Sequence, residues 1–392
     1  MNSEKLILET PYGTRDLLPG DAAEMRHMEN TLSDLFRSWG YDEVITPTIE
    51  HLETLAPRIL EENSLFMLLG NKNKLLALRN EMTTPIARLV STRLKDAPVP
   101  LKLSYICNVF RMEQTQMGRQ CEFHQAGVEL MGSETPASDA EIISLAIESV
   151  LRCGIKDFQI HLGQVAFLDA MLAYYAIEEA LCRALKSAIE RHDIVLMDQM
   201  IDTLPLSIED QENLKKLPLL NGREDLLKRL YDFPLNSQGR SAVDNLAEIY
   251  ALIKSYGYGD YVRFDLGIIR DFNYYTGMVF EGYSIGLGFP LCGGGRYDRL
   301  LTDYGHPQPA TGFALGMERI LLALNRQGIQ IPPVVKDVYI GYADDFIKNA
   351  IKRAMELRRE GKSAELGMQG QSREEAELSC KRRGYSRLEY FG

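Results

Sequence analysis

The sequence predicts an α+β fold in more than one unit. Strand signals cluster before and after a block, from about Ala166 to Tyr256, that is almost all helix-like. Pro332-Pro333 then sets off a short tail with its own strand–helix rhythm. At 392 residues the chain exceeds one typical domain, and 45% apolar with 25% charged residues suits a sizeable packed core.

In chain order, Gly20–Gly40 reads as a helix. Asp21 and Glu24 suit a capping box, Met25, Met28, Leu32, Leu35, Phe36 and Trp39 make one apolar stripe, and Gly40 closes it. The run YDEVITPTIEHLE is strand-like but broken by Pro47. Proline donates no ladder hydrogen bond, which predicts a sheet edge or a dimer seam. Lys74–Leu78 is a short strand, and Thr84-Pro85 opens the next helix. FRMEQTQMGRQCEFHQAGVELMG, from Phe110 to Gly132, reads as a hairpin bending at Gly118. Ser138–Gly154 follows as a helix with Ser138 and Glu141 as its capping box. Phe158–Gly163 is a strand, and residues 166–256 form a helical insertion. Strands resume at YVRFDLG, DFNYYTGMVFEGY and FPLCGGG, and Gly312–Asn325 is expected to be a closing helix. The tail reads as a small β-α-β-α-β unit, so the expected domains are residues 1–330 and 331–392.

Composition excludes several classes of function. A net charge of −11 and a pI near 5.2 give no global attraction to nucleic acid or to an anionic membrane, although a local patch stays compatible with RNA. The N-terminus is too polar for a signal peptide, and no apolar run reaches membrane-spanning length. The six cysteines are scattered with no CxxC pair and no metal-ligand spacing with the six histidines. No metal is expected, and reduced thiols in a cytoplasmic protein are. Gly286-x-Gly288 fails as a dinucleotide fingerprint and a P-loop is absent, so no cofactor is expected.

Ionisable groups instead gather at strand ends beside glycines. Glu81 lies between a strand and a helix, and Arg111 and Glu113 share a strand face. Gln125, Gly127 and Glu129 share another, an odd composition for a core. Gly127 leaves room above the sheet, while Phe123, Ala126, Val128 and Leu130 are taken as the packing face. Tyr274 and Tyr275 point opposite ways, so one packs and the other lines a cavity. Three glycines before Arg296 weaken a strand unless a ligand or backbone approaches closely. Arg319 projects from a helix near them, and His124, with no nucleophile pattern around it, reads as a hydrogen-bonded structural histidine.

Taken in order, YGTRDLLPG, the Pro47 run, LRNEMT, FRMEQTQMGRQCEFHQAGVE, RDFNYYT, GGGRYD and GFALGMER resemble the histidyl-tRNA synthetase family of class II aminoacyl-tRNA synthetases. Each piece is weak alone, but the ordered set from Tyr12 to Arg319 is specific. The resemblance implies an antiparallel sheet flanked by helices, a helical insertion and a homodimer. It implies a histidine pocket at Glu81, Thr83, Arg111, Gln125, Glu129, Arg270, Tyr274 and Tyr275, and a nucleotide pocket with Glu113 and Arg319.

This chain departs from the family pattern FRxERPQxGRxRQFHQ. Gln114 and Cys121 replace arginines and Thr115 a proline. Two cations that face ATP phosphates are thereby lost, each worth on the order of 3 kcal/mol to a phosphate-rich transition state. LRPEGT has become LRNEMT, where Met82 is expected to crowd the site, and RGLDYYT has become RDFNYYT. The tail is shorter than the family's anticodon-binding domain. These departures resemble the family's histidine-biosynthesis branch, the regulatory subunits of ATP phosphoribosyltransferase, which do not aminoacylate. The branch implies no catalytic residue and feedback by L-histidine. It also implies a short-form ATP phosphoribosyltransferase catalytic subunit as partner, in a hetero-oligomer built from the homodimer, with no membrane or nucleic-acid partner. A C-terminally truncated synthetase, keeping Arg111, Arg270 and Arg319, is one alternative. A synthetase-like RNA-binding module is the other, and the 12 basic and 10 acidic residues of the tail argue against it.

Overall fold

The structure is a computed structural model that describes residues 7–55, 65–112, 120–268 and 274–392. Glu113, Gln114, Thr115 and Gly118, and also Arg270, Asp271 and Asn273, lie outside the described residues. The chain divides into two compact units, Met1–Leu17 with Met25–Gln330, and Leu18–Glu24 with Ile331–Gly392.

Helix α1 (Pro19–Ser38) buries Met25, Met28, Leu32, Leu35 and Phe36, the stripe that the 3.6-residue period marks out. Gly40, at φ +81°, ends it. Trp39 turns aside from the stripe, donating to Glu148 at 3.1 Å and stacking on Tyr256. The proline-broken run splits into β1 (Asp42–Glu43) and β2 (Ile49–His51), with Pro47 in neither. After α2 (Leu52–Leu55) come β3 (Met67–Leu69), β4 (Leu75–Leu78) and α3 (Thr83–Arg93). The hairpin strands are β5 (Leu101–Phe110) and β6 (Glu122–Met131), followed by α4 (Pro136–Arg152) and β7 (Phe158–Gln164).

Six helices, α5 (Val165–Tyr174), α6 (Glu179–Glu190), α7 (Ile194–Asp202), α8 (Ile208–Lys216), α9 (Asp225–Leu230) and α10 (Ser237–Ser255), form the insertion, with the two-residue β8 (Asn221–Gly222) inside it. Then follow β9 (Val262–Asp265), β10 (Met278–Ser284), β11 (Cys292–Arg296), α11 (Leu300–Asp303), β12 (Ala310–Gly316) and α12 (Met317–Arg326).

Nine strands join in one sheet, in the order β1-β5-β6-β12-β11-β10-β7-β9-β8. Pairing is antiparallel except at β1–β5 and β7–β9. A separate three-stranded sheet has the order β2-β4-β3. Two expectations are corrected here. The segment from Gly312 is strand β12 before it is helix. A strand buried on both faces is apolar throughout, so periodicity does not separate it from a buried helix. The capping box at Ser138 and Glu141 does not form. Thr135 is the N-cap with Pro136 inside the first turn. Ser138 receives Arg296 Nη2 at 2.9 Å, and Glu141 takes Tyr41 Oη and Lys102 Nζ at 2.8 and 2.7 Å.

Arg296, the arginine after the three glycines, is structural. It lies buried against Asp139 of α4, with contacts of 2.8–3.1 Å, and also binds Asp298 and the Ser133 carbonyl at 3.0 Å. A guanidinium presents five donors in a fixed fork, and here three carboxylate oxygens, a hydroxyl and a carbonyl meet it.

In the second unit, β13 (Lys336–Tyr342), α13 (Ile347–Arg359), β14 (Ala364–Leu366), α14 (Arg373–Arg383) and β15 (Tyr385–Phe391) form a parallel sheet of order β14-β13-β15. Ser372 and Glu375 make a capping box at α14, and Gly384 closes that helix at φ +74°.

Candidate functional site

One face of the nine-stranded sheet is paved with small residues. Tyr105 lies opposite Gly127, Gly127 opposite Ala314, Ala314 opposite Gly293, Gly293 opposite Glu281, and Glu281 opposite His161. One step along the strands, Glu129 faces Gly312 and Gly312 faces Gly295. Two of these glycines are required by what sits on them. A Cβ at Gly295 would lie 2.8 Å from the ring of Tyr275, and one at Gly312 would strike the Glu129 carboxylate. Above this floor is a cavity of about 1040 Å³.

Glu81, Thr83, Arg111, Gln125, Tyr275 and Arg319 all line the cavity, so residues far apart in sequence meet there. Glu81 carries a second duty. Its two oxygens accept the backbone N–H groups of Thr83 at 2.6 Å and Thr84 at 2.9 Å, closing the open N-terminus of α3. Arg111 donates to the Asn80 carbonyl at 2.8 Å and lies 5.4 Å over the Phe123 ring. Arg319 donates to the Pro290 carbonyl at 2.8 Å and lies 5.4 Å over the Phe289 ring. Gln125 is 8% exposed, and its Oε1 has no hydrogen-bond partner among the described residues.

Several placements differ from expectation. Glu129 and Tyr274 are not part of the cavity wall. Glu129, 2% exposed, accepts a hydrogen bond from Tyr297 Oη. Tyr274 stacks on the Tyr297 ring at 4.9 Å and 16° and belongs to the core, while its neighbour Tyr275 takes the cavity side. Phe123 was assigned to the packing face. Being an even number of residues from Gln125 it shares that residue's face, and it lines the cavity. Met82 does line the cavity, though it is only 1% exposed. Its side chain is buried in the core with Ile86 and Val90, where Thr46 Oγ1 reaches its sulfur. Cys121 is buried beside Gly13, whose carbonyl accepts its N–H at 2.7 Å.

His124 is structural, as the sequence indicated. Its ring Nδ1 lies 2.9 Å from Glu318, and its backbone N–H donates to the same carboxylate. That hydrogen bond raises the imidazole pKa above its ordinary value. Burial lifts the Cys107 thiol, across the ladder from Gln125, to about 11, so it stays protonated and inert at neutral pH.

The far half of the cavity was not foreseen. His161, Asp265, Glu281 and Tyr283 line it, together with Glu190 and His192 of the insertion. His161 Nδ1 lies 3.1 Å from Asp265, and Tyr283 donates to Glu281. The signal was faint. In FQIHLG and MVFEGY the polar residue alternates with apolar ones, which is the period of one polar strand face. Among the described residues no group of three or more His, Cys, Asp or Glu side chains is arranged to hold a metal, and no helix is long and apolar enough to cross a membrane.

This floor and cavity define a class II synthetase-like protein. The family model described as histidyl-tRNA synthetase matches residues 13–320. The ATP phosphoribosyltransferase regulatory subunit of Moorella thermoacetica is 42% identical over 392 residues, covering 100% of each chain. That of Desulforamulus reducens is 39% identical over 97% of this chain and 94% of its own. A crystal structure of an ATP phosphoribosyltransferase regulatory subunit/histidyl-tRNA synthetase from Bacillus halodurans matches with a TM-score of 0.90, at 32% identity, over 99% of this chain and 100% of that one. The chain belongs to this family, the ATP phosphoribosyltransferase regulatory subunits built on the histidyl-tRNA synthetase fold.

Proposed function

We propose that this chain is a non-catalytic histidine sensor that acts on a separate, short ATP phosphoribosyltransferase catalytic chain at the first step of histidine biosynthesis. Gln125 carries the reading. An acceptor buried without a partner costs about 1–3 kcal/mol, a cost that a ligand N–H removes. L-histidine offers an α-ammonium and imidazole N–H groups, and Glu81, Gln125 and Tyr275, which line the cavity, are the matching acceptors and hydroxyl. Arg111, with Arg270, suits the carboxylate. Against nucleotide activation stand Gln114 and Cys121 in place of cations.

Regulation requires that histidine bind two states of the complex unequally. A tenfold difference per site shifts the equilibrium by about 1.4 kcal/mol. A homodimer is the expected core of the assembly. The β2-β4-β3 sheet exposes Met67, Leu68, Leu69 and Leu75, an apolar surface of the kind that subunits bury.

Calorimetry with L-histidine and an assay of histidine-dependent ATP–pyrophosphate exchange test the reading together. Binding without exchange is expected. Robust exchange would restore the synthetase alternative, in which Arg111 and Arg319 keep their nucleotide role. Light scattering should show a dimer alone and a larger particle only with the catalytic chain. A dimer indifferent to that chain would move the RNA-binding alternative ahead.

A further inference from the structure

Helix α13 of the second unit carries two apolar rows where one suffices for its own fold. Ala350, Ala354 and Leu357 form the first and are buried with Val338 and Ile340 of β13. Ile347, Ile351 and Met355, four residues apart, form the second, and all three are exposed. Isoleucine is a poorer helix former than alanine or lysine, so an exposed row of this kind adds nothing to the helix itself. The rim of the row is basic. Lys348 and Lys352 flank it, and Arg359 continues the same edge. Arg358 closes its end, donating to the Met355 sulfur at 3.7 Å and the Ala364 carbonyl at 2.9 Å. Several other cations of this unit are neutralised at home. Arg353 pairs with Glu389 at 2.8 Å, Lys362 with Glu360 at 2.9 Å, and Arg383 with Glu365. Lys348, Lys352 and Arg359 have no carboxylate partner among the described residues.

We propose that this outer face of α13 is a docking surface for the ATP phosphoribosyltransferase catalytic chain, which meets it with an apolar patch flanked by carboxylates. The inference rests on the partner reading above and names the surface. An apolar centre with a charged rim is the anatomy of a protein–protein contact. Anchors four residues apart are the spacing that a helix offers to a groove or to another helix. Three cations without partners along one edge are complementary to an acidic edge on the other chain. A phosphate backbone would use the cations but not the apolar row between them and the core. The homodimer has its own candidate surface in Met67, Leu68, Leu69 and Leu75, which leaves the α13 face for a different chain. The regulatory subunit of Moorella thermoacetica aligns over all 392 residues, so this tail is part of what the two chains share. Thirteen helical residues span about 20 Å, less than a standard interface needs. The contact therefore serves an assembly in which it is repeated, where a modest loss at each copy multiplies.

The test is titration of the full-length chain with a short-form ATP phosphoribosyltransferase catalytic chain, followed by light scattering and calorimetry. Ile351→Glu sets a carboxylate in the middle of the row and should weaken association by roughly tenfold to a hundredfold. Lys352→Glu should weaken it by roughly tenfold and flatten its salt dependence. Lys381→Glu makes the same charge change on α14 and should leave association unaltered. Each variant should remain a dimer alone and bind L-histidine as the wild type does, because α13 lines none of the cavity. Wild-type association in both Ile351→Glu and Lys352→Glu overturns the inference and leaves the regulatory reading intact. An equal loss in Lys381→Glu makes net charge the cause and overturns it too. Loss of the dimer in either α13 variant alone assigns the face to a second copy of this chain, with the same consequence. If Ile351→Glu does not fold, Met355→Glu, one turn along the same row, takes its place. A wild-type chain that does not assemble with the catalytic chain removes the partner reading and this inference with it.

Discussion

Two buried polar clusters lie at opposite ends of β12, where Thr311 pairs with Arg296 and Gly316 with Gln125, and they are built on opposite plans. Around Arg296 the contacts are direct and short, with Asp139, Asp298, Ser138 and the Ser133 carbonyl filling the guanidinium's donors. Around Gln125 an acceptor is left without a partner beside a large cavity. The first cluster ties β11 to α4 and serves stability. The second departs from the rule that buried polar groups are satisfied, and because Gln125 lines the cavity a bound group has access to that acceptor. GGGRYD and FHQAGVE look equally functional in the sequence, yet the arginine of one is tied into the scaffold and the glutamine of the other lines the cavity with an oxygen unpartnered among the described residues.

The sharpest way to break this contrast is Asp139→Ala. Removing one partner of a buried ion pair leaves an uncompensated charge, so we expect a loss of about 3–5 kcal/mol in urea denaturation. A loss below about 1 kcal/mol would mean that water reaches Arg296 and that the two clusters do not differ in kind.

Gln125→Leu should do the reverse. Stability by urea denaturation should be unchanged or raised by up to about 1 kcal/mol, while histidine affinity falls by about 1.5–3 kcal/mol. A destabilised Gln125→Leu with unaltered affinity would place the glutamine with the scaffold.

Glu81 stands between the two plans. Glu81→Ala should lose about 1 kcal/mol of stability from the α3 N-terminus and also weaken histidine binding, read by thermal denaturation and calorimetry on one preparation. Loss of stability alone would make it purely a cap.

The smallest effect expected is at His124. Glu318 raises its folded pKa, so the stability it contributes is complete below the unfolded value of about 6.5 and is lost as pH rises through the folded value. His124→Gln should therefore narrow the wild-type advantage in melting temperature as pH rises from about 6 to about 8. An advantage that grows with pH would contradict the His124–Glu318 pairing.

Much of the candidate site's lining was legible because its residues sit in ordered motifs. Glu81, Thr83, Arg111, Gln125, Tyr275 and Arg319 were named from the chain and meet around one cavity. The far half was not legible. His161 and Asp265 are 104 residues apart in the chain, Glu281 comes from a third strand, and only sheet register makes them neighbours. Local periodicity also misjudged β12, whose two buried faces erase the strand's alternation.

By itself, the sequence determined the element types wherever an amphipathic stripe or a glycine stop enforced them, as in α1 with Gly40. It determined the family through the order of its motifs, in which Gln114 and Cys121 stand where the family pattern has arginines. Tertiary structure decided which polar residues are satisfied. Arg296 and Gln125 differ only in what folds against them, and hydrogen-bond satisfaction depends on partners that local sequence does not contain. It also decided that the Glu129 carboxylate lies over Gly312, because strand register across β6, β12 and β11 sets which side chains share a face.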